Sequence, residues 1–145
     1  MSEDLFQLGI KALIRNPKGE ILLLQINPEV RARRPEKAYW DLPGGRVQKG
    51  DTIKNTLRRE ITEETGITKL SKTIFFTSVL SNLRVPLADG DVGLILLVYL
   101  CEVDGAKDIK LSDEHTKAGW FTPAKASKLL HVKYPAEFCQ KITVI

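Results

Sequence analysis

The segment from Thr52 to Thr65 constrains the fold most, because it predicts a helix that places carboxylates on its own apolar side. Its aliphatic residues recur every four positions, as in a helix with one face against a core, at Ile53, Leu57 and Ile61. An advance of about 100° per residue places Glu60 and Glu64 within about 20° of Ile53. Gly66 follows at the position where such a helix ends. The chain must therefore bury these carboxylates or neutralise them.

Glu63 lies at the edge of the same arc and adds a third carboxylate beside Glu60 and Glu64. Like charges three and four residues apart destabilise a helix, and burial raises the cost. A solvated face with ion pairs at four-residue spacing is the alternative, but no lysine or arginine stands four residues after any of the three. Clustered inward carboxylates favour a hard cation, and all-oxygen ligands prefer Mg²⁺ or Mn²⁺.

The rest of the chain predicts one α+β domain, residues 1–145, with a mixed sheet sandwiched between helices. A hairpin is expected over 8–26, around a turn at Asn16–Gly19. The segment 92–103 is almost continuously apolar and is expected to be a central strand. Further strands are expected at 39–42, 73–83 and 119–121, and further helices at 123–130 and 135–141.

The composition indicates an ordinary globular protein, with 43% hydrophobic and 28% charged residues. This balance excludes a disordered or fibrous chain. The longest apolar run, 94–101, is too short to span a bilayer, and no signal peptide is visible, so a cytoplasmic protein without membrane contact is expected. The net charge of +4 is spread along the chain, and no nucleic-acid partner is expected. Cys101 and Cys139 favour buried thiols in a reducing compartment.

Residues 27–37 form a predicted loop that is rich in basic side chains. A solvated surface loop is the favoured interpretation, and an arm that contacts phosphates is the alternative. The candidate substrate contacts under this alternative, together with one arginine further along the chain, are Arg31, Arg33, Arg34 and Arg84. The aromatic residues expected to pack in the core rather than to stack on a nucleobase are Tyr39, Trp40, Trp120 and Phe121.

A glycine-rich loop, residues 44–50, precedes the carboxylate helix. Gly44 and Gly45 allow the backbone to approach a ligand closely. Asp51 and Thr52 stand where an N-cap belongs and can hold the loop onto the helix. The loop is not a Walker motif, because no Gly-Lys-Ser or Gly-Lys-Thr follows.

Residues 45–67 resemble the Nudix box, a pattern written G-x(5)-E-x(7)-R-E-U-x-E-E-x-G-U in which U is a bulky aliphatic residue. The segment reads GRVQKGDTIKNTLRREITEETGI and fills eight of the nine fixed positions. The departure is Asp51, where the pattern has Glu. The flanking segments 40–45 and 111–120 also resemble the family, so the resemblance covers most of the chain.

The resemblance implies a Nudix hydrolase, which cleaves a diphosphate bond in a nucleoside diphosphate linked to a group X and uses Mg²⁺, with Mn²⁺ as a substitute. Position by position, it implies metal ligation by Glu60, Glu63, Glu64 and the carbonyl group of Gly44. It further implies that Arg59 orients the helix by ion pairing, that Asp51 supports it, and that Gly45 lies beside the substrate. Gln48 stands where many relatives carry a Glu, which weakens an outer metal site.

The general base is left open by the resemblance. Glu114 lies in a loop after the central strand, where some relatives place a glutamate that binds metal or removes a proton from water. In other relatives a glutamate of the box does so. His115 is adjacent, and we expect it to be a surface residue that matters less than Glu114.

The group X is constrained by elimination. No marks of the NADH, coenzyme A, dinucleoside polyphosphate or ADP-ribose subgroups are recognisable, which leaves nucleoside triphosphate pyrophosphohydrolases, including those acting on oxidised nucleotides. Nucleoside diphosphate sugars, with ADP-ribose as the type, are the alternative substrates. The rival classes are a nucleotide-sensing domain without turnover and a domain that Ca²⁺ stabilises. A monomer or a homodimer is expected.

Overall fold

The computed structural model describes residues 2–26, 37–105 and 108–145. Three helices and eight strands form in these ranges, and the α+β prediction is confirmed. In chain order the elements are β1 (Phe6–Arg15), β2 (Ile21–Ile26), β3 (Trp40–Asp41), β4 (Gly44–Arg46), α1 (Ile53–Thr65), β5 (Lys72–Leu80), β6 (Val85–Leu87), β7 (Gly90–Glu102), β8 (His115–Phe121), α2 (Pro123–Leu129) and α3 (Ala136–Ile142).

A parallel pair of long strands forms the centre of the sheet. β1 and β7 run in register from Phe6 opposite Gly93 to Arg15 opposite Glu102. The sheet order is β3-β2-β1-β7-β5, while β4 pairs with β1, β6 with β7 and β8 with β2. The central position predicted for the segment 92–103 is therefore confirmed, and its apolar side chains supply both faces of the sheet.

Apolar layers pack against both faces of this sheet. On one face, Phe138 of α3 packs onto β7 and β1, together with Leu130 and Tyr134 from the segment between α2 and α3. On the other face, Leu57 and Ile61 of α1 pack onto Ile10 and its neighbours in β1. No helix in the described ranges is both long and apolar enough to cross a membrane.

The structure differs from the sequence expectations at several places, among them β8, which begins at His115 rather than at 119. β4 and β6 were not expected, because three-residue strands containing glycine or proline form through their partner strand rather than through local propensity. Strand β5 ends at Leu80 rather than at 83. Ile53 was expected to face the core but is 36% exposed, because it begins the helix and precedes the turn that contacts the sheet.

Candidate active site

One cavity lies where α1 faces the loop before β8, and its volume is about 680 Å³. The helix and the loop come from segments about 50 residues apart, which the sheet brings together. The lining consists of Gln48, Arg59, Glu60, Glu63, Glu64, Ser112, Asp113 and Glu114. The carboxylates singled out from the sequence, Glu114 included, thus share a single cavity.

Glu64 is the buried member of this group, with only 3% of its surface exposed. Its Oε1 accepts a hydrogen bond of 2.7 Å from the backbone N–H of Gly44. Burial raises the pKa of Glu64 to about 7, although the charge of Lys11 and the Gly44 N–H both act to lower it. The loop therefore holds the Glu64 side chain in position, while burial disfavours its charged form.

Glu60 lies directly against the backbone of Gly45. A Cβ atom added at Gly45 would stand 2.5 Å from Cδ of Glu60, so any other residue would force this carboxylate to move. Partial burial raises the pKa of Glu60, and the charges of Glu63 and Glu114 raise it further. The influence of Glu114 shows that the loop before β8 and the helix act on each other across the cavity.

The start of α1 is held by Thr52 and Asp51. The Oγ1 of Thr52 accepts a hydrogen bond from the N–H of Asn55 at 3.1 Å, which makes Thr52 the N-cap. Asp51 accepts from the N–H of Thr52 at 2.8 Å and forms an ion pair with Arg59. Asp51 thus ties the loop to the second turn of the helix, and the shorter side chain suffices for this contact.

Arg59 has one nitrogen engaged and one available. Nη1 pairs with Asp51, whereas Nη2 lies 3.7 Å from Oε1 of Glu60. This Nη2 is buried and has no hydrogen-bond partner among the described residues. Because Arg59 lines the cavity, its Nη2 is available to donate a hydrogen bond at the cavity wall, beside the carboxylates.

A buried charged cluster supports the segment that leads into Gly44. Asp41 is completely buried and accepts from Lys11 Nζ at 3.1 Å, from Lys133 Nζ at 2.7 Å and from the hydroxyl of Tyr134 at 2.6 Å. Lys11 also donates to the carbonyl of Leu42 at 3.2 Å. Burial alone would raise the pKa of Asp41, but the two lysines outweigh it and hold the pKa well below its usual range.

Sequence reasoning missed this cluster, although one signal was present. Lys11 interrupts the apolar strand LGIKALIR, and a lysine inside such a strand requires a buried partner. The partners lie 30 and more residues away, at Asp41 and beyond. Two ammonium groups share one carboxylate here, and the charge of Lys11 also lowers the pKa of Glu60 and of Glu64.

His115 is not the surface residue that the sequence suggested. It is 94% buried at the start of β8, because its strand pairs with β2 under the loop. Its Nε2 lies 3.8 Å from Oε2 of Glu64, and its Nδ1 lies 3.4 Å from Oγ of Ser112. The imidazole therefore packs against α1 instead of facing water.

Of the predicted arginine contacts, Arg84 is the one that lies within the described residues. Arg84 forms ion pairs with Asp4 at 2.8 Å and with Asp91 at 2.6 Å, and it does not line the cavity. Arg31, Arg33 and Arg34 lie outside the described residues. The packing prediction for the aromatic residues agrees with the edge-to-face contact of Trp40 and Phe121, whose ring centroids are 5.1 Å apart.

The cavity fits a hard divalent cation by its chemistry. Its acidic side chains supply only oxygen donors, and two of them, Glu60 and Glu64, have pKa values raised by burial, which a cation would reverse. In the described part of the chain, no three acidic, histidine or cysteine side chains already stand close enough to share one ion. Adjustment of side-chain rotamers is therefore part of any binding event here.

Comparison with known proteins agrees with this geometry. The NUDIX domain family matches residues 5–142. The mouse 8-oxo-dGDP phosphatase NUDT18 is 31% identical over 142 residues, which cover 91% of this chain and 39% of that protein. Nucleoside triphosphatase NudI of Salmonella arizonae is 35% identical over 88 residues, covering 58% of this chain and 62% of that protein.

Solved structures show the same fold. The MutT protein from Methanosarcina mazei Go1 superimposes with a TM-score of 0.67 at 31% identity and covers 98% of this chain and 94% of its own. The dihydroneopterin triphosphate pyrophosphohydrolase of E. coli has a TM-score of 0.71 at 19% identity, covering 97% of each chain, and shows the fold alone.

The chain therefore belongs to the Nudix hydrolase family. It spans 39% of the length of mouse NUDT18 and 62% of the length of the Salmonella NudI. The box recognised in the sequence is, in the structure, the loop and helix that carry the carboxylates of the cavity.

The Asp41 cluster yields a stability prediction. Asp41→Asn keeps the volume of the side chain but leaves Lys11 and Lys133 buried without a counter-charge. We expect the free energy of unfolding to fall by about 3–5 kcal/mol, measured by urea denaturation. Asp4→Asn, which breaks an exposed ion pair with Arg84, should change it little. Equal effects of the two variants would contradict the assigned role of the cluster.

Glu64 yields a pH prediction for the metal-free protein. Its folded pKa of about 7 exceeds the ordinary value of 4.5, so the folded state holds a proton that the unfolded state has already released. The contribution of Glu64 to the free energy of unfolding is fully present below pH 4.5 and is lost as the pH rises through 7. The total loss is on the order of 3 kcal/mol.

Urea denaturation in EDTA at a series of pH values measures this loss. Glu64→Gln cannot release a proton and should flatten the decline between pH 4.5 and 7, whereas the exposed control Glu137→Gln should keep it. A decline of the same size in Glu64→Gln would show that other groups cause it.

Proposed function

We propose that this protein hydrolyses a diphosphate bond of nucleoside triphosphates, oxidised nucleotides included, with Mg²⁺ or Mn²⁺ as cofactor. The observation that carries the proposal is the convergence of Glu60, Glu63, Glu64 and Glu114 on one cavity. The names of the relatives support the substrate class, because one is an 8-oxo-dGDP phosphatase and another a nucleoside triphosphatase. The products would be a nucleoside monophosphate and pyrophosphate.

The residues that would hold the cation are Glu60, Glu63 and Glu64, with the carbonyl group of Gly44 as a further oxygen donor. When bound, the cation supplies neutralisation of the phosphate charge and acidification of the attacking water. Glu64 is the least free to move, because Gly44 holds its Oε1. Glu63 is exposed and can turn toward a ligand without disturbing the core.

Arg59 would bind the substrate directly. Its Nη2 is a buried donor at the cavity wall without a hydrogen-bond partner among the described residues, and a phosphate oxygen is the acceptor that a guanidinium group matches well. Its Nη1 stays engaged with Asp51, which keeps the guanidinium plane fixed. Arg59 would therefore both orient α1 and contact the diphosphate.

Glu114 would act on the attacking water from the side opposite the helix. It belongs to the turn that precedes β8, and its charge reaches Glu60 across the cavity. A carboxylate in this position can accept the proton that water loses as it attacks phosphorus in line with the leaving phosphate. Glu64, whose pKa is raised, is the second carboxylate able to accept a proton.

We also propose that the protein acts in the cytoplasm on small nucleotides. Both cysteines, Cys101 and Cys139, are buried and form no disulfide, which fits a reducing compartment. Burial also raises the pKa of the Cys101 thiol to about 11, so this thiol is chemically quiet.

The experiment is a turnover screen with and without Mg²⁺, against nucleoside triphosphates, 8-oxo-guanine nucleotides, ADP-ribose and dinucleoside polyphosphates. EDTA should abolish turnover and Mg²⁺ or Mn²⁺ should restore it. Glu63→Gln should lower kcat by a factor on the order of 100, while Glu137→Gln, an exposed glutamate on α3, should not. Anion-exchange chromatography of the products identifies the bond that is cleaved.

The outcomes separate the alternatives. Turnover of ADP-ribose with little turnover of triphosphates would favour the nucleoside diphosphate sugar substrates. Tight nucleotide binding without turnover would favour a sensing domain. Full activity in EDTA, or wild-type kcat in Glu63→Gln, would contradict the metal site at the box.

Glu114 gives a separate prediction. Glu114→Gln should reduce kcat at least about tenfold, because it removes a proton acceptor or an oxygen ligand. If Glu114 is the base, the acidic limb of the kcat/KM profile should weaken in the variant. If it is a ligand, a higher Mg²⁺ concentration should recover most of the rate. Asp113→Asn, the neighbouring carboxylate of the same cavity, is the matched control, and a larger loss there would reverse the assignment.

A further inference from the structure

Half of the sheet face beside α1 is left uncovered by the residues that the structure describes. Helix α1 packs mainly against β1 and β4, so it does not extend over β5 and the neighbouring part of β7. The apolar side chains on this uncovered half, which we call the open sheet face, are Phe6, Phe75, Leu80, Ile95, Leu97 and Tyr99. The uncharged Ser78, opposite Leu97, lies among them.

The register of the strands places these side chains on one surface. Leu80 lies opposite Ile95, and Phe75 lies opposite Tyr99 with ring centroids 5.6 Å apart. The ring of Phe6 lies over Gly93, where a Cβ would approach it to 2.3 Å. Phe75 and Leu80 are 54% and 55% exposed and Phe6 is 40% exposed. A contiguous apolar surface of this kind marks a contact site.

The partner must approach across the face rather than along the edge. β5 pairs only with β7 among the described strands and ends the sheet. A bulge between Phe75 and Thr77 breaks the regular pairing in the middle of this edge strand. Bulges of this kind protect edges from extension by another strand. Face-to-face packing of two sheets needs no regular edge.

The two ends of the open sheet face carry opposite charge. At the start of β7 the charged residues are Asp4, Asp89, Asp91 and Arg84, an acidic excess. At the other end a groove of about 240 Å³ runs between α1 and the start of β5, with Leu57, Ile61 and Leu70 among its lining. Lys54 and Arg58 line this groove as well, and no acidic residue among those described does.

We propose that the open sheet face is the contact surface of a symmetric homodimer. A two-fold axis in the plane of the contact, running across the strands, turns the second copy end for end. It places the acidic end of each copy over the basic end of the other. Residues near the axis lie against the same residues of the second copy, so a charged residue there would face a like charge. The open sheet face contains no charged residue. A contact with a different protein would not require an uncharged centre, nor one acidic and one basic end. A contact between two copies requires both, which favours the homodimer.

Sedimentation velocity of the whole chain, from low to high micromolar concentration, tests the proposal. The expected result is a concentration-dependent dimer. Phe75→Lys and Leu80→Lys each place a charge in the apolar contact and should raise the dimer dissociation constant at least tenfold. Val144→Lys, at an 82% exposed valine outside this face, is the matched control and should leave it unchanged. Circular dichroism confirms that each variant is folded.

A charge reversal tests the orientation. Lys54→Glu combined with Arg58→Glu makes both ends acidic and should weaken the dimer, most strongly at low salt. A chain that is monomeric at every concentration overturns the proposal and leaves the face to a different partner. A dimer that survives Phe75→Lys and Leu80→Lys also overturns it, because the contact then lies elsewhere. Both results are independent of turnover and so of the proposed function.

Discussion

The hydrogen bond from the N–H of Gly44 to Glu64 links the two halves of the site. It joins the sheet, through β4, to the helix that carries the carboxylates, across 20 residues of chain. Gly44 has φ of 151°, and a Cβ there would stand 2.0 Å from the carbonyl oxygen of Ile10. Only glycine permits this approach. The position of α1 relative to the sheet, and with it the cavity, depends on this contact.

The Asp41 cluster explains how the protein keeps that contact in place. Lys11, Lys133 and Tyr134 converge on Asp41 from a strand and from the segment between α2 and α3. They fix the short stretch that runs from Asp41 to Gly44. A buried cluster with one more ammonium than carboxylate is costly by itself. The positive charge of the cluster favours the charged form of the nearby glutamates, because Lys11 lowers the pKa of both Glu60 and Glu64.

Helix α1 has two functional sides in this arrangement. One side presents Glu60, Glu63 and Glu64 to the cavity, and the opposite side presents Lys54 and Arg58 to the groove at the end of the open sheet face. A partner bound at that groove would contact the helix that carries the proposed metal ligands. The proposed dimer contact and the proposed metal site would thus share one helix, although they use different side chains.

The sequence by itself determined the elements whose signals are local. The spacing of Leu57 and Ile61, the cap at Thr52 and the αL residue Gly66 specify the helix, because helix rules act within one or two turns. The box motif also specified which glutamates share a cavity. Only the tertiary structure decided which distant groups meet: Asp41 with Lys133, Arg84 with Asp4, and His115 against Glu64. The periodicity of apolar residues indicates whether a side chain is buried. The partner of a buried charge is set by strand order and register, which no local sequence pattern contains.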